Sequence, residues 1–227
     1  RSHLRHPLRL VVSIAAAAVA CACGAKDGKP RSVEQLRADP AVKALMEKTL
    51  KSLRFVEGGT FDMGDFGVVD SVEKLPYHGG SDNKPMHKVT LDSFSMSAYK
   101  TTYADVDVYT QAMGMPKFNT EGDFVRRARF ADSMAGLIWQ EARDYCQWLG
   151  KLLDLPMDLP TEAQWEYAAR NRGKYWLFAT DNGKSEPGRN VWEFEQHVEY
   201  KSSLARSRGF DSQRYAAALP LGRFPPT

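Results

Sequence analysis

The residue types that perform chemistry are sparse in this chain. It has three cysteines, Cys21, Cys23 and Cys146, and five histidines in 227 residues. Of the histidines beyond the N-terminal stretch, His78, His87 and His197 are scattered. None has a second His or Cys at ligand spacing, so no zinc site is built. His87 reads as a structural imidazole without a partner pattern. Cys146 stands alone in the body of the chain. A thiol becomes a nucleophile where a neighbour lowers its pKa, and no such neighbour is apparent near Cys146. On an apolar helix stripe it reads as a small buried hydrophobe. Gly58-Gly59 is not followed by the Gly-Lys-Ser/Thr of a phosphate loop, so it reads as a turn.

The elements that position these residues follow from caps and periodicity. In Leu159-Pro-Thr-Glu-Ala-Gln-Trp-Glu-Tyr-Ala-Ala-Arg170, Thr161 is an N-cap and Gln164 completes a capping box. Pro160 and Trp165 have the spacing of a hydrophobic staple. Glu162 and Glu166 lie near the positive helix end, where carboxylates are favoured, and each reads as an ordinary surface glutamate. Upstream, 137–151 is a helix with Ile138, Ala142, Tyr145, Cys146 and Leu149 on one stripe. The run 55–64 reads as two short strands around the Gly-Gly turn, and 65–84 as a polar loop. Residues 84–96 read as a strand with a bend near Asp92, and 103–112 as a helix starting after Thr101 or Thr102. Asp39-Pro40 caps an amphipathic helix over 39–52, which packs on the domain or on a partner.

The N-terminus carries a different signal. Arg1, Arg5 and Arg9 precede an apolar run from Leu10 to Ala20, so 1–20 reads as a secretory signal peptide. The run is shorter than the roughly 20 residues of a membrane-spanning helix. Small residues before Cys21 resemble a bacterial lipobox, with Cys23 the alternative lipidation site. Residues 21–38 then form a tether. The expected location is the cell envelope, as a periplasm-facing lipoprotein held to the membrane by its lipid anchor. Plain export and a cytoplasmic protein are the other readings. Lys and Arg number 31 against 28 Asp and Glu. Without the three N-terminal arginines the balance is neutral, which gives no electrostatic case for nucleic acid.

The run 159–170 resembles the signature of the sulfatase-modifying-factor family, which includes the formylglycine-generating enzymes. Trp139 to Leu149 is similar to the helix before that signature, and Phe61-Asp-Met-Gly64 to the family's opening strand. The resemblance implies an α+β, C-type-lectin-like fold with little regular secondary structure over 53–227. It also implies a domain that is incomplete at Thr227, its C-terminal part lying beyond the sequence. Thr161, Glu162, Trp165, Glu166 and Arg170 are then structural signature residues, and Cys146 has a disulfide to the absent part as its alternative role. Asn190, Val191 and Phe210 match positions that hold calcium in the formylglycine-generating enzymes, although Arg208 stands where an Asp is expected. Asn190 as a plain turn residue is the other reading. Asp158 replaces the usual Arg before Leu-Pro-Thr-Glu, so any salt bridge there must differ.

In the family, copper is held by a pair of thiolates in the C-terminal part, and no cysteine follows Cys146 here. The expectation is therefore a non-catalytic envelope binding lipoprotein. Immunity to a secreted effector, or protein or glycan recognition, are concrete forms of it. Tyr175, Trp176 and Trp192 are candidate contacts to a protein partner, with core packing the other reading for at least two of them. The alternative is a formylglycine-generating oxidase acting on sulfatase cysteines, if the C-terminal part supplies the copper ligands. An iron-dependent sulfoxide synthase ranks last, because its His-rich helical domain is not present.

Overall fold

The structure, a computed structural model, describes residues 30–122 and 129–207. Its elements in chain order are α1 (Val33–Arg37), α2 (Pro40–Ser52), β1 (Leu53–Val56), β2 (Gly59–Met63) and α3 (Gly67–Asp70). There follow β3 (His87–Leu91), β4 (Phe94–Ser97), α4 (Tyr103–Ala112), α5 (Trp139–Leu153), α6 (Glu162–Ala169) and α7 (Phe194–Ser207). Among the described residues no helix is long and apolar enough to cross a membrane.

Helices α1, α2, α4 and α5 enclose the main core. Val42 and Leu45 of α2 meet Val106 and Tyr109 of α4, and Tyr145, Trp148, Leu149 and Leu152 of α5. The α5 set recurs at three- and four-residue steps, which places it on one face. Ile138 departs from the expected stripe. It precedes the first turn rather than lying within it, and it is 67 % exposed. Helix α2 begins at Asp39, whose carboxylate accepts from the Ala41 N–H, and it packs on the domain through α4 and α5. The stretch read as a tether also carries α1, closed by a Ser32–Gln35 capping box and pinned by Arg37. The Arg37 guanidinium donates to Leu152 O (2.8 Å) and pairs with Asp154 (2.6 Å), which satisfies the C-terminal end of α5.

The four strands make two two-stranded antiparallel ladders that follow one another along the same two chain segments, a ribbon interrupted in the middle. Strand β1 pairs antiparallel with β4, from Leu53↔Ser97 to Val56↔Phe94. Strand β2 pairs antiparallel with β3, from Gly59↔Leu91 to Met63↔His87. The interruption falls at Glu57-Gly58 on one side and at Asp92-Ser93 on the other, where the chain bends. The Gly-Gly pair is therefore a bend in one strand, not a hairpin turn between partners. Gly58 is required there, because a Cβ would lie 2.3 Å from Leu91 O. Helix α4 starts at Thr102, whose side chain closes a capping box with Asp105.

Candidate functional site

Helix α6 positions the site. Thr161 Oγ1 accepts from Gln164 N–H at 3.2 Å, and Gln164 Oε1 accepts from Thr161 N–H at 2.9 Å. These bonds fix the first turn. One turn on, Tyr167 is buried; its hydroxyl donates to Glu57 O (3.1 Å) and its ring meets Phe61 with centroids 5.1 Å apart. The helix is thus nailed to the kink of the ribbon.

Glu166 and Arg170 do not lie at the surface. Glu166 Oε1 accepts from the Gly64 N–H (2.9 Å) and from Arg170 Nη1 (2.6 Å). Arg170 is 5 % exposed. Its guanidinium also donates to Asp62 O and Lys174 O (both 2.9 Å) and sits 4.4 Å above the Phe66 ring. Tyr175 stacks on Phe66, with ring centroids 5.2 Å apart, and its hydroxyl donates to Asp62 (2.9 Å). Buried charge is tolerable when it is paired and its donors are satisfied, and each of these conditions is met here.

Asp65 organises the facing loop, and the sequence reading passed over it. Its buried carboxylate accepts from the N–H groups of Gly67 (2.9 Å), Tyr77 (2.9 Å) and His78 (2.8 Å). Burial pushes this carboxyl up, but the three N–H groups together outweigh it and hold its pKa below the usual carboxylate range. The Asp65-Phe-Gly67 step is a recognisable Asx signal; the reach to residues twelve and thirteen positions on has no local signature.

Between this loop and α6 lies an open cleft of about 280 Å³. Phe66, Ala169 and Arg170 line it, with Trp165, Trp176 and Leu177 from α6 and the segment after it, and Tyr77, His78 and Asn83 from the loop. Trp165 is 62 % exposed, so it serves the cleft rather than the core. Glu162 is exposed in the first turn. Asn83 contributes a buried Oδ1 with no hydrogen-bond partner. The cleft's charged groups are all engaged: Arg170 by Glu166, and Asp65 by backbone donors. Among the described residues that line it, each carboxylate is already hydrogen-bonded.

The other sequence-derived sites fall elsewhere. Among the candidate contacts, Trp176 lines the cleft, Tyr175 packs on Phe66, and Trp192 packs on Tyr200 at 5.4 Å. Exposed His87 holds its Nδ1 3.1 Å from Pro85 O. The anion at Asp158 has a cation after all: Arg143 Nε lies 3.0 Å from both carboxylate oxygens, while its guanidinium covers Trp139 at 5.1 Å. Cys146 is half-buried against the core, and burial, with the Asp158 charge, pushes its thiol up to about 11. It is the one cysteine among the described residues, so these residues do not fit a two-thiolate copper site. Cys21, Cys23 and Phe210 lie outside the described residues.

Calcium fits the described residues no better. Asn190 is buried (6 % exposed), but its Oδ1 already accepts from Glu186 N–H at 2.7 Å. Val191 O accepts from Gly188 N–H at 2.8 Å. The structure gives Asn190 the role of a turn organiser.

Comparison with known proteins agrees with this architecture. A profile of the sulfatase-modifying factor enzyme 1-like domain matches residues 39–227. The chain is similar to a protein named serine/threonine-protein kinase pkn1 from Chlamydia pneumoniae, with 28 % identity over 155 residues, 61 % of this chain and 22 % of that protein. It is similar to a formylglycine-generating enzyme of Streptomyces coelicolor, with 28 % identity over 201 residues, 69 % of this chain and 59 % of the enzyme. The chain thus spans less than two thirds of the length of these relatives. Among solved structures, PvdO from Pseudomonas aeruginosa superposes with a TM-score of 0.50 at 23 % identity, over 77 % of this chain and 63 % of that one, and shares the fold. The mixed helices and short strands, the signature helix and the profile match agree: this chain belongs to the sulfatase-modifying factor enzyme 1-like domain family.

Proposed function

We propose that this domain is a non-catalytic recognition module of the cell envelope, and that the cleft beside α6 is its binding surface. The lipobox-like run at Cys21, or Cys23, would supply the membrane anchor. The observation that carries the reading is the cleft itself: a hydrogen-bonded floor at Arg170 and a rim of exposed aromatics at Trp165 and Tyr77. Aromatic side chains are enriched among the anchors of protein interfaces.

The chemistry favours a protein segment over a sugar. A saccharide brings many hydroxyls, each costly to bury without a partner. This cleft is mainly apolar, and the unpaired Asn83 Oδ1 beside it is buried. A peptide presenting an apolar side chain matches it. A secreted effector neutralised in the envelope is one such partner.

The test compares the native full-length protein with a Trp165→Ala/Trp176→Ala variant in affinity purification from envelope fractions. The expected result is one protein partner retained by the wild type and lost with the variant, while the variant's melt stays cooperative. Equal retention by both overturns the assignment of the cleft, and retention of glycan alone overturns the ligand class. The second reading, an oxidase acting on sulfatase cysteines, is favoured by the similarity to the Streptomyces enzyme. It predicts that a cysteine-bearing sulfatase peptide gains an aldehyde when incubated with the full-length protein and copper.

A further inference from the structure

The loop 180–191 is arranged like a cation site whose centre is already filled. Asn190 Nδ2 faces four oxygens: Lys184 O at 3.0 Å, Asp181 Oδ1 at 3.1 Å, Asn182 Oδ1 at 3.2 Å and Glu186 Oε2 at 3.5 Å. Two carboxylates, an amide oxygen and a carbonyl from one loop are the donor set that hard divalent cations select. An amide nitrogen has only two hydrogens to share among them, so its partial positive charge is spread across the ring. The full charge comes from Arg189. Its Nη2 pairs with Asp181 Oδ2 at 2.6 Å, and its Nη1 with Glu186 Oε2 at 2.6 Å. Both carboxylates are therefore paired from outside the ring by one guanidinium, which offsets one of their two charges, while the amide bridges them inside it. The Asp181 carboxyl is held below the usual range, first by the Arg189 bond and then by the Asn190 bond.

We infer that in this chain the Asn190 amide and the Arg189 guanidinium take the place of a divalent cation, so the loop closes without metal. Thr180 and Asn182 complete the closure: Thr180 Oγ1 donates to Lys184 O at 2.8 Å, and Asn182 Nδ2 to Glu186 Oε2 at 2.8 Å. Removing the guanidinium leaves two adjacent carboxylates without their counter-charge, and a divalent cation can then displace the Asn190 amide from the centre.

The test is calcium titration of the full chain by calorimetry and thermal melting, in chelator and in excess calcium. The wild type is expected to give no binding heat and the same melting temperature in both. Arg189→Gln is expected to melt lower in chelator and to recover when calcium is added, whereas Arg189→Lys, which keeps the charge without the fork, stays indifferent to calcium. If Arg189→Gln does not fold in chelator, refolding it with calcium gives the same reading. A calcium-dependent rise in the wild-type melt, or an Arg189→Gln protein indifferent to calcium, overturns the inference.

Discussion

Glu166 and Arg170 lie one turn apart on the signature helix, and their 2.6 Å ion pair is buried against the ribbon rather than laid on the surface. Glu166 also holds the Gly64 N–H, and Arg170 holds Asp62 O, so the pair joins α6 to the end of β2. This joint sets the position of Trp165, and hence the cleft. Removing one partner of a buried pair leaves the other uncompensated. Arg170→Met is expected to cost about 3 kcal/mol or more of folding stability. Glu166→Gln keeps an acceptor for Gly64 and is expected to cost about 1–2 kcal/mol. Denaturant unfolding of the two variants checks the order.

Gly173 follows Asn171 and Arg172, and all three have positive φ, at 44°, 64° and 76° along the chain. A Cβ at Gly173 would lie 2.3 Å from Phe61 Cβ. Gly173→Ala is expected to lose about 1–3 kcal/mol from strain and clash. Gly79→Ala, with open space around it, is the control and should change the melt little.

The Asp65 carboxyl has its pKa lowered in the folded state. Such a group contributes stability that is fully present above its unfolded pKa of about 3.9. That contribution is lost as pH falls through the lower folded value. The stability gap between wild type and Asp65→Asn is therefore expected to be widest at neutral pH and to close on acidification. Urea unfolding across the acid range reads it. A gap that stays constant with pH contradicts the assignment.

Burial raises the Cys146 thiol to about 11. At a pH near 8 its thiolate is then about one part in a thousand, against roughly a quarter for an ordinary cysteine. Thiol-reactive probes are expected to label Cys146 at least about a hundredfold more slowly in the native protein than in denaturant. Equal rates would contradict the packing described.

The local elements were legible because their signals are local. Thr102 with Asp105, and Thr161 with Gln164, mark helix starts within four residues, and both boxes form. The bend near Asp92 was readable from the shift in alternation at Phe94. The same logic applied to Ser32 and Gln35 points to α1, which the composition of the surrounding tether obscured. The site was less legible. A glutamate and an arginine at i,i+4 spacing look like a surface pair. Their burial comes from Phe66 and Tyr175, which converge on Arg170 from both sides of the signature in the chain. Trp165 misled in the opposite direction, since an aromatic at a staple position suggests packing and instead it faces the cleft. Residues whose role depends on distant partners carry no periodic mark.

The most direct test of the cleft as a recognition surface is site-specific photo-crosslinking in cells. A photoreactive amino acid is placed at position 165 of the full-length protein and, as control, at Val72, which is 92 % exposed and absent from the cleft lining. A discrete protein adduct from position 165, absent from position 72 and lost when Trp176→Ala is added, is the predicted result. Adducts of equal yield from both positions, or none from position 165, would contradict the account.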